Sequence, residues 1–148
     1  MSRLQLALNV SNLEEAIAFY SAFFQTEPAK IRPGYANFAV LDPPLKLVLF
    51  ENPAQPGTIN HLGVEVFSTQ EVADATSYLK TRGLVTDVEE QTTCCYAVQD
   101  KVWVDGPDDS RWEVYTVLAD APIDTGTAGD DACCVGDAKE NASVTACC

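Results

Sequence analysis

Six cysteines stand in three adjacent pairs, Cys94–Cys95, Cys133–Cys134 and Cys147–Cys148, and the chain has a single histidine, His61. Neighbouring cysteines close a disulfide only through a small, strained ring, so doublets make a poor structural framework. Where thiols are kept reduced, paired sulfurs more often bind a soft metal or take part in redox chemistry. Glu113 lies between Trp112 and Val114 in a largely apolar run, where a buried, unpaired carboxylate would be costly. These residue types suit a site for a metal or a soft element, and the patterning around them shows which elements must hold them.

A chain of 148 residues is long enough for one compact domain with a sizeable core. The net charge of −13 argues against nucleic acid and anionic membrane surfaces as partners. No apolar run approaches the roughly 20 residues of a membrane span. The opening "MSRLQLALNV" is too short and too soon polar for a secretory signal. The expectation is a cytoplasmic protein with reduced thiols.

The stretch "QLALNVSNLEEAIAFYSAFF" from Gln5 and "HLGVEVFSTQEVADATSYLK" from His61 share one plan, at a spacing of 56 residues (61 minus 5). Each opens with a strand pattern, Leu6, Leu8 and Val10 in the first and Leu62, Val64 and Val66 in the second. Each then offers a capping box, Ser11 with Glu14 and Ser68 with Glu71. An amphipathic helix follows, with Leu13, Ala16, Ile17, Tyr20 and Phe24 on one face, and Val72, Ala75 and Leu79 on one face of the second. Tyr20, Phe23 and Phe24 are expected in the core, and Gly83 supplies the second helix's stop. Strand-like runs come next: "YANFAVL" and "LKLVLFE", then "YAVQ", "KVWVD" and "RWEVYTV". Each half reads roughly βαβββ, so the fold class is α+β, with two modules (about 3–52 and 59–118) expected to place their sheets side by side around a cleft. From 119 to 148 the chain has six acids, one base and no aromatic residue, and is expected to be a mobile, Cys-containing acidic tail after a domain spanning 1–118.

Paired βαβββ modules closing on "DGPDDSRWEVY" resemble the vicinal-oxygen-chelate family of glyoxalase I and extradiol dioxygenases, over about residues 3–118. Within it, "RPGYANFAV", "PPLKLVLFE", "HLGVEV" and "TCCYAVQDKVWV" resemble the organoarsenical carbon–arsenic lyases and the related cadmium-induced proteins. The resemblance implies metal ligands from the first strand of each module and a last strand: Gln5, His61 and Glu113. The residue reading agrees for His61, at a repeat-equivalent strand start, and for Glu113. Gln5 departs from the histidine usual in the family, and an amide oxygen is a weaker, harder ligand. One imidazole, one carboxylate and one amide oxygen leave coordination positions open, which suits non-haem Fe(II) and O2.

The resemblance further implies a trivalent organoarsenical as substrate, with Cys94 and Cys95 as a two-thiol clamp on the arsenic. Chelation on one loop would position the carbon–arsenic bond and lower the entropic barrier. Tyr96, Lys101 and Trp103 follow the doublet; Lys101 is a candidate for stabilising negative charge on oxygen, and the competing expectation is a core Trp103 and a solvated Lys101. The tail doublets are candidates for collecting metal. Two rivals stand beside this reading: a non-enzymatic cadmium- or arsenic-binding resistance protein, and another extradiol-type dioxygenase with incidental cysteines. The sequence leaves open whether two chains pair as a homodimer.

Overall fold

The computed structural model describes residues 2–84, 86–94 and 96–121. Cys95, the doublets Cys133–Cys134 and Cys147–Cys148, and nearly all of the expected tail lie outside them. The chain divides between Val66 and Phe67 into two compact units, both α+β.

Unit 1 holds β1 (Arg3–Val10), α1 (Leu13–Phe24), β2 (Lys30–Arg32), β3 (Tyr35–Val40), β4 (Leu45–Glu51) and β5 (Ile59–Glu65). Its strands run in the order β2-β3-β4-β1-β5. β1 lies parallel to β4, and the other pairings are antiparallel. β5, which the sequence repeat assigns to the second module, pairs with β1 from Arg3↔Glu65 to Leu8↔Ile59. Alternation along the strands gives this sheet two unlike faces. One carries Ala36, Phe38, Val40, Leu47 and Leu49, which form a buried cluster with Leu13 of α1 and the flanking Leu6, Leu8, Val10, Ala16, Ile17, Tyr20 and Phe24. At roughly 1.5–3 kcal/mol for each large apolar side chain removed from water, this cluster is the main source of the unit's stability. The other face carries Gln5, Asn9, Asn37, His61 and Glu65, all buried.

The expected helical face of α1 is the one that packs, but Phe23 is 66% exposed and stacks on Phe19 instead of entering the core. The cap also differs by one position. Asn12, not Ser11, accepts the Glu15 N–H at 2.9 Å, because "SNLEE" offers two adjacent capping side chains and the helix starts at Leu13.

Unit 2 holds α2 (Thr69–Thr81), β6 (Thr86–Cys94), β7 (Ala97–Asp105), a 3-10 turn (Pro107–Asp109) and β8 (Arg111–Asp120). The strands run β8-β7-β6, antiparallel throughout. The Ser68–Glu71 box is formed: Ser68 Oγ accepts the Glu71 N–H at 3.3 Å, and the Glu71 carboxylate accepts the Phe67 N–H at 3.1 Å. Gly83, at φ +74°, ends α2 as expected, with the Leu84 N–H reaching the Leu79 carbonyl at 3.1 Å. "YAVQ" and "KVWVD" fall in one strand, β7, and the third strand is β6, which was not among the strand-like runs of the sequence. β8 runs two residues past Leu118, pairing Ala119 with Val98 and Asp120 with Ala97.

No helix among the described residues is long and apolar enough to cross a membrane.

Candidate functional site

In unit 1 the polar face is organised around His61. Gln5 on β1 and His61 on β5 are 3% and 1% exposed, and Gln5 Nε2 lies 3.0 Å from His61 Nε2. A directed relay fixes the imidazole tautomer. The Gln55 carbonyl can only accept, so the Thr58 hydroxyl donates to it at 2.7 Å. Thr58 Oγ1 then accepts from Asn9 Nδ2 at 2.9 Å, and Asn9 Oδ1 accepts from Asn60 Nδ2 at 3.0 Å. That leaves Asn60 Oδ1 as the acceptor facing His61 Nδ1 at 2.8 Å. Nδ1 therefore carries the proton and Nε2 the lone pair, directed at Gln5. This is the form in which histidine ligates a metal, with its second nitrogen held by an outer partner.

On the same face Glu65 pairs with Arg3 and lies 3.5 Å from Lys46. Lys46 is the β4 neighbour of Gln5. Burial pushes the Lys46 ammonium below its usual range, and Glu65 works against that shift.

In unit 2 the face turned away from α2 is also polar and buried. Lys101 Nζ on β7 lies 3.1 Å from Glu113 Oε2 on β8, with side-chain exposures of 0% and 2%. The approach has ion-pair distance but not hydrogen-bond angles. Trp103 donates its indole N–H to Glu89 at 3.2 Å, and the Arg111 guanidinium covers its ring at 4.5 Å. Trp103 is core, at 2% exposed, as one expectation had it. The matching expectation of a solvated Lys101 is corrected, because Glu113 supplies the countercharge that burial requires.

Cys94 is 1% exposed and ends β6 opposite Ala97, so the first member of the doublet closes a strand instead of standing on a loop. Cys94 is disulfide-bonded in the structure, which differs from the reduced thiol the sequence suggests. Pairing through Thr92↔Gln99 and Cys94↔Ala97 puts Cys94 on the face of Gln99, Lys101 and Glu113. Tyr96 turns the hairpin at φ 64° and accepts the Ala121 N–H through its carbonyl at 2.9 Å.

Ala97, opposite Cys94, and Trp103, opposite Glu113, are six steps apart along β7 (103 minus 97), about 20 Å of strand. Both flanking strands carry a register shift between these levels: β6 between Glu89 and Thr92, β8 beside the Val98–Gln99 step. Such bulges bend strands and interrupt the ladder. Asp100 ties the β6 bulge to α2, accepting the Gln91 N–H at 2.8 Å and the Thr69 hydroxyl at 2.6 Å.

The structure thus brings Gln5 to His61 in one unit, and Lys101 to Glu113 in the other. It sets Cys94 and Tyr96 at the far end of the unit 2 hairpin. Sequence reasoning missed the Thr58–Asn9–Asn60 relay, the Arg3–Glu65–Lys46 group and Asp100, all of which depend on strand register rather than local pattern. Among the described residues no three His, Cys, Asp or Glu side chains form a metal cage by themselves. His61, as a lone-pair donor beside an amide that can rotate its oxygen inward, is chemically suited to hold a metal.

Residues 3–114 match the family model described as the glyoxalase/bleomycin resistance protein/dioxygenase superfamily. The chain is 57% identical over 151 aligned residues to the cadmium-induced protein CadI of Mycobacterium tuberculosis, covering 97% of this chain and 99% of that one. It is 56% identical over 135 residues to a trivalent organoarsenical cleaving enzyme of Thermomonospora curvata, covering 90% and 89%. Among solved structures, the 2,3-dioxygenase LapB from Pseudomonas sp. KL28 superposes with a TM-score of 0.61 at 20% identity, over 80% of this chain and 42% of that one. That likeness shows the fold, which is the one the sequence resemblance implies.

Proposed function

The chain belongs to the glyoxalase/bleomycin resistance protein/dioxygenase superfamily, and from that premise we propose that it cleaves the carbon–arsenic bond of trivalent organoarsenicals with Fe(II) and O2. The observation that carries the reading is His61, whose relay directs the Nε2 lone pair at Gln5. The name of the relative at 56% identity supplies the arsenic chemistry. Gln5 and His61 would hold the iron, and Glu113 is the carboxylate that the family resemblance assigns as a ligand. When bound, Fe(II) supplies the activation of oxygen that thiols and carboxylates alone do not provide.

The protein's own part is capture, placement and charge. Reduced Cys94 and Cys95 condense with the two exchangeable positions of R–As(OH)2, forming two S–As bonds and releasing two waters. The carbon–arsenic bond is then the one substituent left to react. Oxygen is the oxidant: the carbon–arsenic bond breaks, the organic fragment is oxidised and O2 supplies one oxygen to arsenic, while two waters hydrolyse the two S–As bonds, so that trivalent arsenite leaves and both thiols return. Lys101, a donor withdrawn from water, stabilises negative charge where it develops. Tyr96, at the hairpin turn, directly follows the doublet in sequence. The Cys94 disulfide requires two-electron reduction by a thiol reductant, which is itself oxidised to a disulfide, before capture.

The test is direct. The reduced protein is loaded anaerobically with Fe(II), given methyl- or phenylarsenous acid, and exposed to air. Arsenite and O2 consumption in step are expected; an iron-loaded, reduced protein that binds arsenical without either overturns the reading. A second reading, a non-enzymatic cadmium- or arsenic-binding protein in the cytoplasm, is favoured by the three cysteine doublets; the 57% identical relative's name says only that cadmium induces it. Arsenical binding without oxygen uptake is its signature.

A further inference from the structure

Gln99 sits on β7 between the hairpin tip and the Lys101–Glu113 pair, on the same face as both. It is 8% exposed, and its Oε1 accepts no hydrogen bond among the described residues. A buried amide oxygen without a donor costs free energy that an apolar side chain of similar shape would avoid. Its neighbours across the strands, Thr92 and Val117, do not satisfy it. Cys94 is its diagonal neighbour: Cys94 pairs with Ala97, two residues along β7. Diagonal pairs of an antiparallel ladder stand about 7–8 Å apart, within reach of a glutamine and a thiol that share one bound atom.

We propose that Gln99 is a substrate-binding residue, whose Oε1 accepts a hydrogen bond from an As–OH group while the arsenic is held by Cys94. The chemistry selects this partner. The orphan atom is an acceptor, so its ligand must bring a proton. R–As(OH)2 bonded to one thiol, with loss of one water, keeps one As–OH. The contact exists in the singly thiolated state, before the second thiol displaces that hydroxyl. Gln99 would therefore hold the arsenical during the interval in which chelation is completed. The inference rests on the arsenical-capture part of the proposed function, but its test needs no turnover.

The experiment measures arsenic binding by dialysis and elemental analysis, on reduced protein without iron. Cys95→Ser combined with serine at Cys133, Cys134, Cys147 and Cys148 leaves Cys94 as the one thiol of the chain, so a bound arsenical is singly thiolated there. In that background Gln99→Leu is expected to weaken phenylarsenous acid binding about tenfold, the scale of one buried hydrogen bond. Dimethylarsinous acid, which has no hydroxyl left once bound to one thiol, should bind both proteins equally. Gln99→Leu should also leave the thermal midpoint unchanged or higher, since it removes an unsatisfied acceptor, whereas a structural glutamine would lower it. Gln99→Glu, which keeps the acceptor, should retain phenylarsenous acid binding. Equal losses for both arsenicals, or no loss for either, overturn the proposal. If the wild type binds arsenic yet releases no arsenite, the cleavage reading fails and this one stands on its own result.

Discussion

Lys101 Nζ and Glu113 Oε2 lie 3.1 Å apart on neighbouring strands with both side chains withdrawn from solvent. Removing one partner of a buried pair leaves the other charge uncompensated. Lys101→Met should therefore lower stability by about 3–5 kcal/mol in metal-free protein. If Glu113 is a metal ligand, added Mn(II) should restore more stability to the variant than it adds to wild type, because the metal replaces the lost cation. Urea denaturation with and without Mn(II) checks this; equal gains in both proteins would separate Glu113 from the metal.

The Asn60–His61 contact at 2.8 Å predicts an outer-sphere effect on metal binding. Asn60→Leu breaks the relay and frees the ring to change tautomer. Divalent metal affinity should fall about 10–100-fold while the fold is kept. His61→Ala should abolish binding altogether. Calorimetric titration of the two variants distinguishes loss of a ligand from loss of its orientation.

Cys94 and the Gln5–His61 pair occupy different units, so mutation should separate them. Cys94→Ser is expected to abolish arsenite release while leaving bound iron unchanged, since one thiol forfeits most of the effective concentration of a chelate. Cys95→Ser should behave alike. Iron content beside arsenite yield is the measurement, and loss of iron in both variants would assign the doublet to the metal site.

The depressed Lys46 ammonium gives a pH signature. Its folded value lies below the usual 10.5, chiefly through burial, so between those values the unfolded chain holds more protons. Stability contributed by this group thus rises with pH across that window. Lys46→Met should flatten the rise. Denaturant midpoints from pH 8 to 10.5, taken as the wild-type minus variant difference, test the sign.

Ala119 and Asp120 pair with β7, and Ala121 bonds to the Tyr96 carbonyl. A chain ending after Ala121 should match the full-length melting temperature, whereas one ending at Leu118 should melt lower and exchange amide hydrogens faster at residues 92–98. Equal melting of all three chains would show that these last pairs carry no stability.

The strand, cap and helix order of each half was legible because it is local: Ser68–Glu71, Gly83 and the apolar face of α1 are written within a few residues. β6 was not, because "TDVEEQTT" carries three acids, and a strand that pairs on one side tolerates charge that would mark a loop elsewhere. Phe23 misled because apolar residues occur around the whole of α1. His61 and Glu113 could be picked out by type and position, but the immediate surroundings of both came from register. The partner of Lys101 lies twelve residues away (113 minus 101), and the acceptor for His61 is oriented by a chain that begins at Gln55. Residue-type habit placed Lys101 in solvent, and only the pairing of β7 with β8 shows otherwise.

The two unlike faces of the unit 1 sheet divide labour across the thickness of one backbone. Leu6 and Leu8 anchor the strand against α1, while Gln5 and Asn9, one residue away in sequence, point at His61 and its relay. A substitution at Gln5 can therefore change the chemistry offered to a metal without altering the contacts that hold the strand in place. The cost of trying a new ligand is confined to a few polar neighbours. A sheet built this way is an adaptable chassis: one set of apolar residues keeps the geometry, and the opposite set can be rewritten, so a glutamine can stand where a histidine would serve.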